Sequence, residues 1–243
     1  MPGLGTIVNV AAILLGGSLG LLFKRFITEK LREIVSQGLG LAVLVIGFAG
    51  VFTSSLRVSA ERVVFESTLM MILSLVFGAL IGGILKIDDR LEIMSKKISA
   101  KLNSNDTAGF AGGFMTATLL FSIGAMAIIG SLEDGINKNT DILFAKSALD
   151  CVTAMILAGT FGAGVLLSAF SVGIYQGFIT ALAFVLTPIL SQAVITGITM
   201  VGSVLIIGLS FGMLGIVKIK VANLLPAVFI PIIYYAVISL TGK

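Results

Sequence analysis

Lys146 and Asp150 stand one helical turn apart inside an apolar stretch that runs from Ile142 to Leu166. A charged side chain in hydrocarbon costs roughly 2.5–3.5 kcal/mol on insertion scales, so an intramembrane pair is a site hypothesis by default. A lone carboxylate at that depth would take up a proton or recruit a cation. Here a lysine supplies the countercharge, and an entering ion or protonated substrate would compete with it for the carboxylate. Lysine before aspartate is the less favoured order for a simple intrahelical pair. Two readings therefore stand side by side: a neutralised pair tying helices together, and a substrate or ion site.

Other polar residues fall at membrane depth. Asn9 lies two turns into the first apolar stretch. Thr116, Thr118 and Ser122 line the fourth, Thr153 continues the Lys146–Asp150 stripe at i+7, and Gln176 and Thr180 are one turn apart on the sixth. The expected site centres on Asp150 with Lys146 as charge partner, and Asn9, Thr116, Ser122, Thr153 and Gln176 as polar lining. Asn9 and Gln176 also suit interhelical hydrogen bonds, worth on the order of 0.6 kcal/mol each.

Catalysis is not what these residue types suggest. The chain has no histidine and one cysteine, which removes His-ligated haem, the usual zinc sites, Ser-His and Cys-His pairs and intrachain disulfides. Cys151, in an apolar run, reads as packing. Asp150 and Glu66 lack an evident partner acid or metal centre. No cofactor or metal is expected, and the chain does not read as an enzyme.

The elements that must hold these residues are set by composition. Hydrophobic residues make up 57% of the 243 positions and charged residues 12%, with a mean hydropathy of +1.14. Runs of about 20 apolar residues are what a bilayer core requires of a helix. Eight such runs fall at 4–23, 38–56, 64–85, 107–130, 142–166, 171–188, 192–217 and 221–240, with seven spans as the other count. The expectation is an all-α membrane protein, a single polytopic domain over 1–243. The first run reads as a spanning helix rather than a signal peptide, because its basic residues follow it. Pro226 and Pro231 are expected to kink the last run.

Basic residues choose the orientation. Lys24, Arg25, Lys30 and Arg32 follow the first run, Lys86, Arg90, Lys96, Lys97 and Lys101 the third, and Lys218 and Lys220 the seventh. The opposite connections carry Arg57 and Arg62 balanced by Glu61 and Glu66, then Glu133, Asp134, Lys138 and Asp141, then the uncharged 187–192. Positive-inside places both termini outside. It also accounts for the pI near 9.3 without invoking nucleic acid. Two cytoplasmic connections read as basic amphipathic helices lying in the headgroup region. One carries Phe26, Ile27, Leu31, Ile34 and Val35 on one face, the other Leu91, Met94, Ile98 and Leu102, with Asp88 and Asp89 in its first turn.

Small residues four apart recur: Gly16 and Gly20, Gly78 and Gly82, Gly208 and Gly212, with Ala158 and Gly162 in their place on the fifth run. The returning runs echo one another in Ile46–Gly50 and Ile123–Ala127. Such faces let helix backbones touch where lipid offers no hydrophobic drive. The eight runs group as four parallel hairpin repeats, 4–56, 64–130, 142–188 and 192–240, and the glycine surplus suggests a homodimer.

Three blocks carry a further likeness. They are Gly5-Thr6-Ile7-Val8-Asn9 with Gly16-Gly17 and the basic segment after it, Gly113-Phe114-Met115-Thr116-Ala117 running to Ile129–Gly135, and Lys146–Asp150 with Gln176-Gly177 beyond. In this order, over essentially the full chain, they resemble the YdfK/YqgA-like family of bacterial inner-membrane proteins. The resemblance implies a polytopic helical protein of the bacterial cytoplasmic membrane and carries over no catalytic residue.

The functional expectation is a carrier or channel for a small solute or ion, with membrane lipids as surroundings and no nucleic-acid partner. The alternative is a non-transporting scaffold or sensor that binds lipid or a partner through its amphipathic helices. A sealed core around Asp150 would favour the scaffold, a hydrated vestibule the transporter.

Overall fold

The computed structural model describes residues 2–24, 28–59, 62–65, 67–101, 107–123 and 125–241. Eleven α-helices occur among them: α1 Leu4–Lys24, α2 Glu29–Ser55, α3 Thr68–Leu85, α4 Ile87–Lys101, α5 Thr107–Ser122, α6 Ala125–Ile136, α7 Asp141–Phe161, α8 Gly164–Ala181, α9 Ala183–Leu186, α10 Gln192–Met213 and α11 Ile230–Thr241. A 3-10 segment, Val221–Phe229, runs into α11, and two short antiparallel strands, β1 Leu56–Ser59 and β2 Arg62–Phe65, pair Leu56 with Phe65. The chain is an all-α membrane protein. Among the described residues seven helices are long and apolar enough to cross a bilayer, or eight if the bent pair α5–α6 counts as one span.

The differences from the expected spans have local causes. The fourth run is not one helix: its two halves meet at a bend of 58°, and it continues to Ile136 rather than stopping at 130. Gly124, between the halves in sequence, lies outside the described residues. The fifth run ends at Phe161 because Gly162 turns to φ 87°, the left-handed-side backbone that glycine alone adopts freely. The sixth span therefore starts at Gly164, seven positions before the expected 171. Pro226, which lacks an N–H for an α-helical bond, sits in the 3-10 segment, and regular α-helix starts only at Ile230. The first expected amphipathic segment is the start of α2 rather than a separate helix, with Leu31 and Ile34 exposed. Phe26 and Ile27 lie outside the described residues. The second is α4, of which Leu102 and the side chains of Met94 and Ile98 lie outside them.

The contacts divide the chain into two compact units, Met1–Gly38 with Asp89–Thr187, and Leu39–Asp88 with Pro188–Lys243. In the first, α1 and α7 run parallel. Gly16 faces the carbonyl of Cys151, and Gly20 faces that of Met155, so a Cβ at either glycine would strike main chain. Gly17 faces Leu166, and Gly173 of α8 faces Val10 of α1. In the second unit, Gly78 and Gly82 of α3 receive Ala227 and Asn223 of the 3-10 segment, and Gly47 and Gly50 of α2 receive Ile207 and Ser203 of α10. Its core is built from Met70, Met200, Val201 and Ala227. The Asn223 side chain accepts the Asp88 N–H at 2.9 Å, satisfying one of the free donors at the start of α4.

Candidate functional site

The glycine contacts decide which polar side chains meet. Because Gly16 and Gly20 let α1 lie against the backbone of α7, Asn9 reaches Asp150. Its Nδ2 donates to Asp150 Oδ2 at 3.0 Å. Because Gly173 leaves room for Val10, α8 approaches α1 closely enough for the same Nδ2 to donate to Gln176 Oε1 at 3.2 Å. Lys146 donates its ammonium to Asp150 Oδ2 from one turn away on α7. The ammonium also lies 5.8 Å from the ring centroid of Phe121 on α5, within cation–π range. Four side chains from three helices thus form one hydrogen-bonded chain, Lys146–Asp150–Asn9–Gln176.

The cluster is enclosed. Asn9 and Gln176 are 0% exposed, and Lys146 and Asp150 are each 6% exposed. The charges offset one another, but the amides are not fully used. Asn9 Oδ1 and Gln176 Nε2 are buried and make no hydrogen bond among the described residues. A buried polar atom left so costs roughly 1–3 kcal/mol. The orientation of both amides follows from Asp150: an ionised carboxylate requires the Asn9 NH2, which in turn requires the Gln176 oxygen.

The remaining expected lining residues are placed differently. Thr116 is buried on α5. The hydroxyls of Thr118 and Ser122 are buried with no hydrogen-bond partner among the described residues, and Ser122 directly follows Phe121. None of the three bonds to the Asp150 cluster in the hydrogen bonds described. Thr153 does not join it either, since its hydroxyl donates to Leu149 O of its own helix at 2.9 Å.

Asp134 is what the sequence reading assigned to the wrong surroundings. It was expected in an acidic surface connection, yet it is 0% exposed on α6. Its carboxylate accepts the backbone N–H of Gly3 at 3.1 Å and of Gly5 at 3.0 Å, capping the first turn of α1 and meeting its positive dipole end. The available signal was Gly130-Ser131 just before it, which extends the small-residue pattern to Gly135. Among the described residues no group of three His, Cys, Asp or Glu side chains is placed to share a metal ion.

The profile of a family described as Protein of unknown function (DUF554) matches residues 4–236. The chain belongs to this family. It is 33% identical over 238 residues to the Uncharacterized membrane protein YdfK of Bacillus subtilis (strain 168), covering 98% of each chain. It is 28% identical over 233 residues to the Uncharacterized protein YqgA of Escherichia coli (strain K12), covering 93% of this chain and 94% of that one. No solved structure matches it. The family match begins at Leu4 and ends at Ala236, so it spans every residue of the Asp150 cluster, and Asp134 with it.

Proposed function

We propose that this membrane protein is a carrier or channel for a small solute or ion, and that the Lys146–Asp150–Asn9–Gln176 chain is part of its site. The observation that carries the reading is the pair of buried amide atoms, Asn9 Oδ1 and Gln176 Nε2, that have no hydrogen-bond partner among the described residues. A cluster meant only to fasten helices is expected to satisfy its members, because a partly satisfied buried network is worse than an apolar core. A discontinuous helix beside the cluster adds support, since α5 ends at Ser122 and the Phe121 ring centroid lies 5.8 Å from the Lys146 ammonium. Transporters commonly place broken helices at their binding sites.

The competing reading is a scaffold in which the pair is a strut. The enclosure of Asn9 and Gln176 favours it, and in the transporter reading the same enclosure is an occluded state. Flux across proteoliposomes, measured for a panel of ions and small metabolites, separates the two. Protein-dependent flux that Asp150→Asn removes supports transport, and no flux for any member supports the scaffold.

The setting we propose is the bacterial inner membrane with both termini outside, following the basic connections. A homodimer is the proposed assembly, with membrane lipids around it. A Cβ added at Gly112, Gly177 or Gly212 would meet nothing within 4 Å, so these are among the small residues open to such a contact.

A further inference from the structure

Helical hydroxyls in this chain ordinarily bond to their own backbone. Ser147 donates to Leu143 O, Thr160 to Ile156 O, Ser168 to Val165 O and Thr199 to Ile195 O, at 2.6–3.1 Å. Thr6, Ser131 and Thr180 do not, nor do Thr118 and Ser122 of α5. The hydroxyls of Thr6, Ser131 and Thr180 are buried and have no hydrogen-bond partner among the described residues, as is the case for Asn9 Oδ1 and Gln176 Nε2, and none of these five residues is more than 7% exposed.

These five belong to one layer of the first unit. Thr6 is one turn before Asn9 on α1, Thr180 one turn after Gln176 on α8, and the Asn9–Gln176 bond joins the two helices. Gly17 facing Leu166 and Val10 facing Gly173 make α1 and α8 antiparallel, so Thr6 and Thr180 lie toward the same end. Ser131 on α6 sits between Gly130, which abuts Leu143, and Asp134, which reaches Gly3 and Gly5; Gly135 abuts Thr180. The layer spans about one helical turn, or roughly 5–6 Å.

We infer that this layer between α1, α6 and α8 binds a small neutral molecule that both donates and accepts hydrogen bonds, through Thr6, Asn9, Ser131, Gln176 and Thr180. The charges at its two ends are already matched, Asp150 by Lys146 and Asp134 by the start of α1, so nothing there selects a net charge. Asn9 Oδ1 can only accept, Gln176 Nε2 can only donate, and the three hydroxyls do both. An amide NH2 among the ligands suits a bare cation poorly, since hard cations take oxygen ligands alone. Water, a polyol and urea share the required chemistry. The inference rests on the transport reading above and narrows it to a neutral guest.

The test is osmotic swelling of proteoliposomes, followed by light scattering, under gradients of glycerol, of urea, or of impermeant sucrose for water. Potassium and acetate fluxes are read in parallel with potential- and pH-sensitive dyes. Faster entry of glycerol, urea or water than in protein-free vesicles is expected. Thr6→Val with Thr180→Val, and separately Ser131→Ala, should slow it by about fivefold per hydroxyl, the factor for one net hydrogen bond. The thermal midpoint should hold or rise. Should the double variant fail to fold, Ser131→Ala decides alone. Neutral flux unchanged in a better-folded variant overturns the inference. Ion flux lost in Asp150→Asn, with no neutral flux, overturns it and leaves the transport reading standing. No flux of any probe overturns both.

Discussion

The carboxylate of Asp134 accepts the backbone N–H of Gly5 at 3.0 Å across 129 residues of sequence. That bond, with its companion to Gly3, ties the end of α6 to the start of α1. Asp134→Ala leaves two donors without their acceptor and should cost about 2 kcal/mol, the upper end for a lost helix cap. Asp134→Asn keeps one acceptor oxygen and should cost about half as much. Thermal unfolding in detergent measures both, and an unchanged midpoint for Asp134→Ala would show that the cap contributes nothing.

The ion pair allows a sharper separation of structure from function. Removing one partner of a buried pair strands the other, at about 3–5 kcal/mol. Asp150→Asn and Lys146→Met should each lower the thermal midpoint, and the double change should recover most of the loss. If the pair belongs to a transport site, flux disappears in Asp150→Asn and stays absent in the double variant. Recovery of stability and of full flux together would make the pair a strut.

Much of the cluster was legible in the sequence because charge and amide side chains are conspicuous in an apolar run. Asp150, Lys146, Asn9 and Gln176 stood out for that reason, and the structure joins them. Spacing assigns Thr153 a face but not its hydroxyl a partner, and that hydroxyl bonds the Leu149 carbonyl of its own helix. Asp134 was missed because it ends an apolar run beside Glu133, where a solvated loop was the simpler expectation. The stop at Gly162 was hidden for a related reason. Glycine occurs throughout these helices, so only backbone geometry distinguishes a breaking glycine from a packing one.

The packing glycines yield a graded prediction. Valine at Gly16 or Gly20 would press side-chain atoms onto main-chain carbonyls of α7, which cannot shift as a flexible side chain would. Each should cost about 1–3 kcal/mol, the usual range for overpacking, and should break the Asn9–Asp150 approach that depends on the close α1–α7 contact. Gly83→Ala, with nothing within 4 Å of the new methyl, should be neutral or slightly stabilising, because alanine favours helix. Similar losses at Gly83 and Gly16 would mean that these glycines serve something other than the α1–α7 interface.

The proposed orientation follows from charge and is tested by access to the two faces. Asn137 is exposed after α6, in a connection where Glu133 and Asp141 offset Lys138. Lys218 is exposed after α10, beside Lys220 and with no acidic residue near it in sequence. Basic residues are retained on the cytoplasmic side during insertion, whereas acidic ones contribute little. In a Cys151→Ala background, the Asn137→Cys variant should react with a membrane-impermeant maleimide on intact spheroplasts. The Lys218→Cys variant should react only after permeabilisation. The Cys151→Ala background removes the chain's one native thiol, so any label reports the introduced position. Labelling in the reverse order would invert the orientation and put the Asp134 cap on the cytoplasmic side. The start of α1 and the neutral layer beside it would then face the cytoplasm.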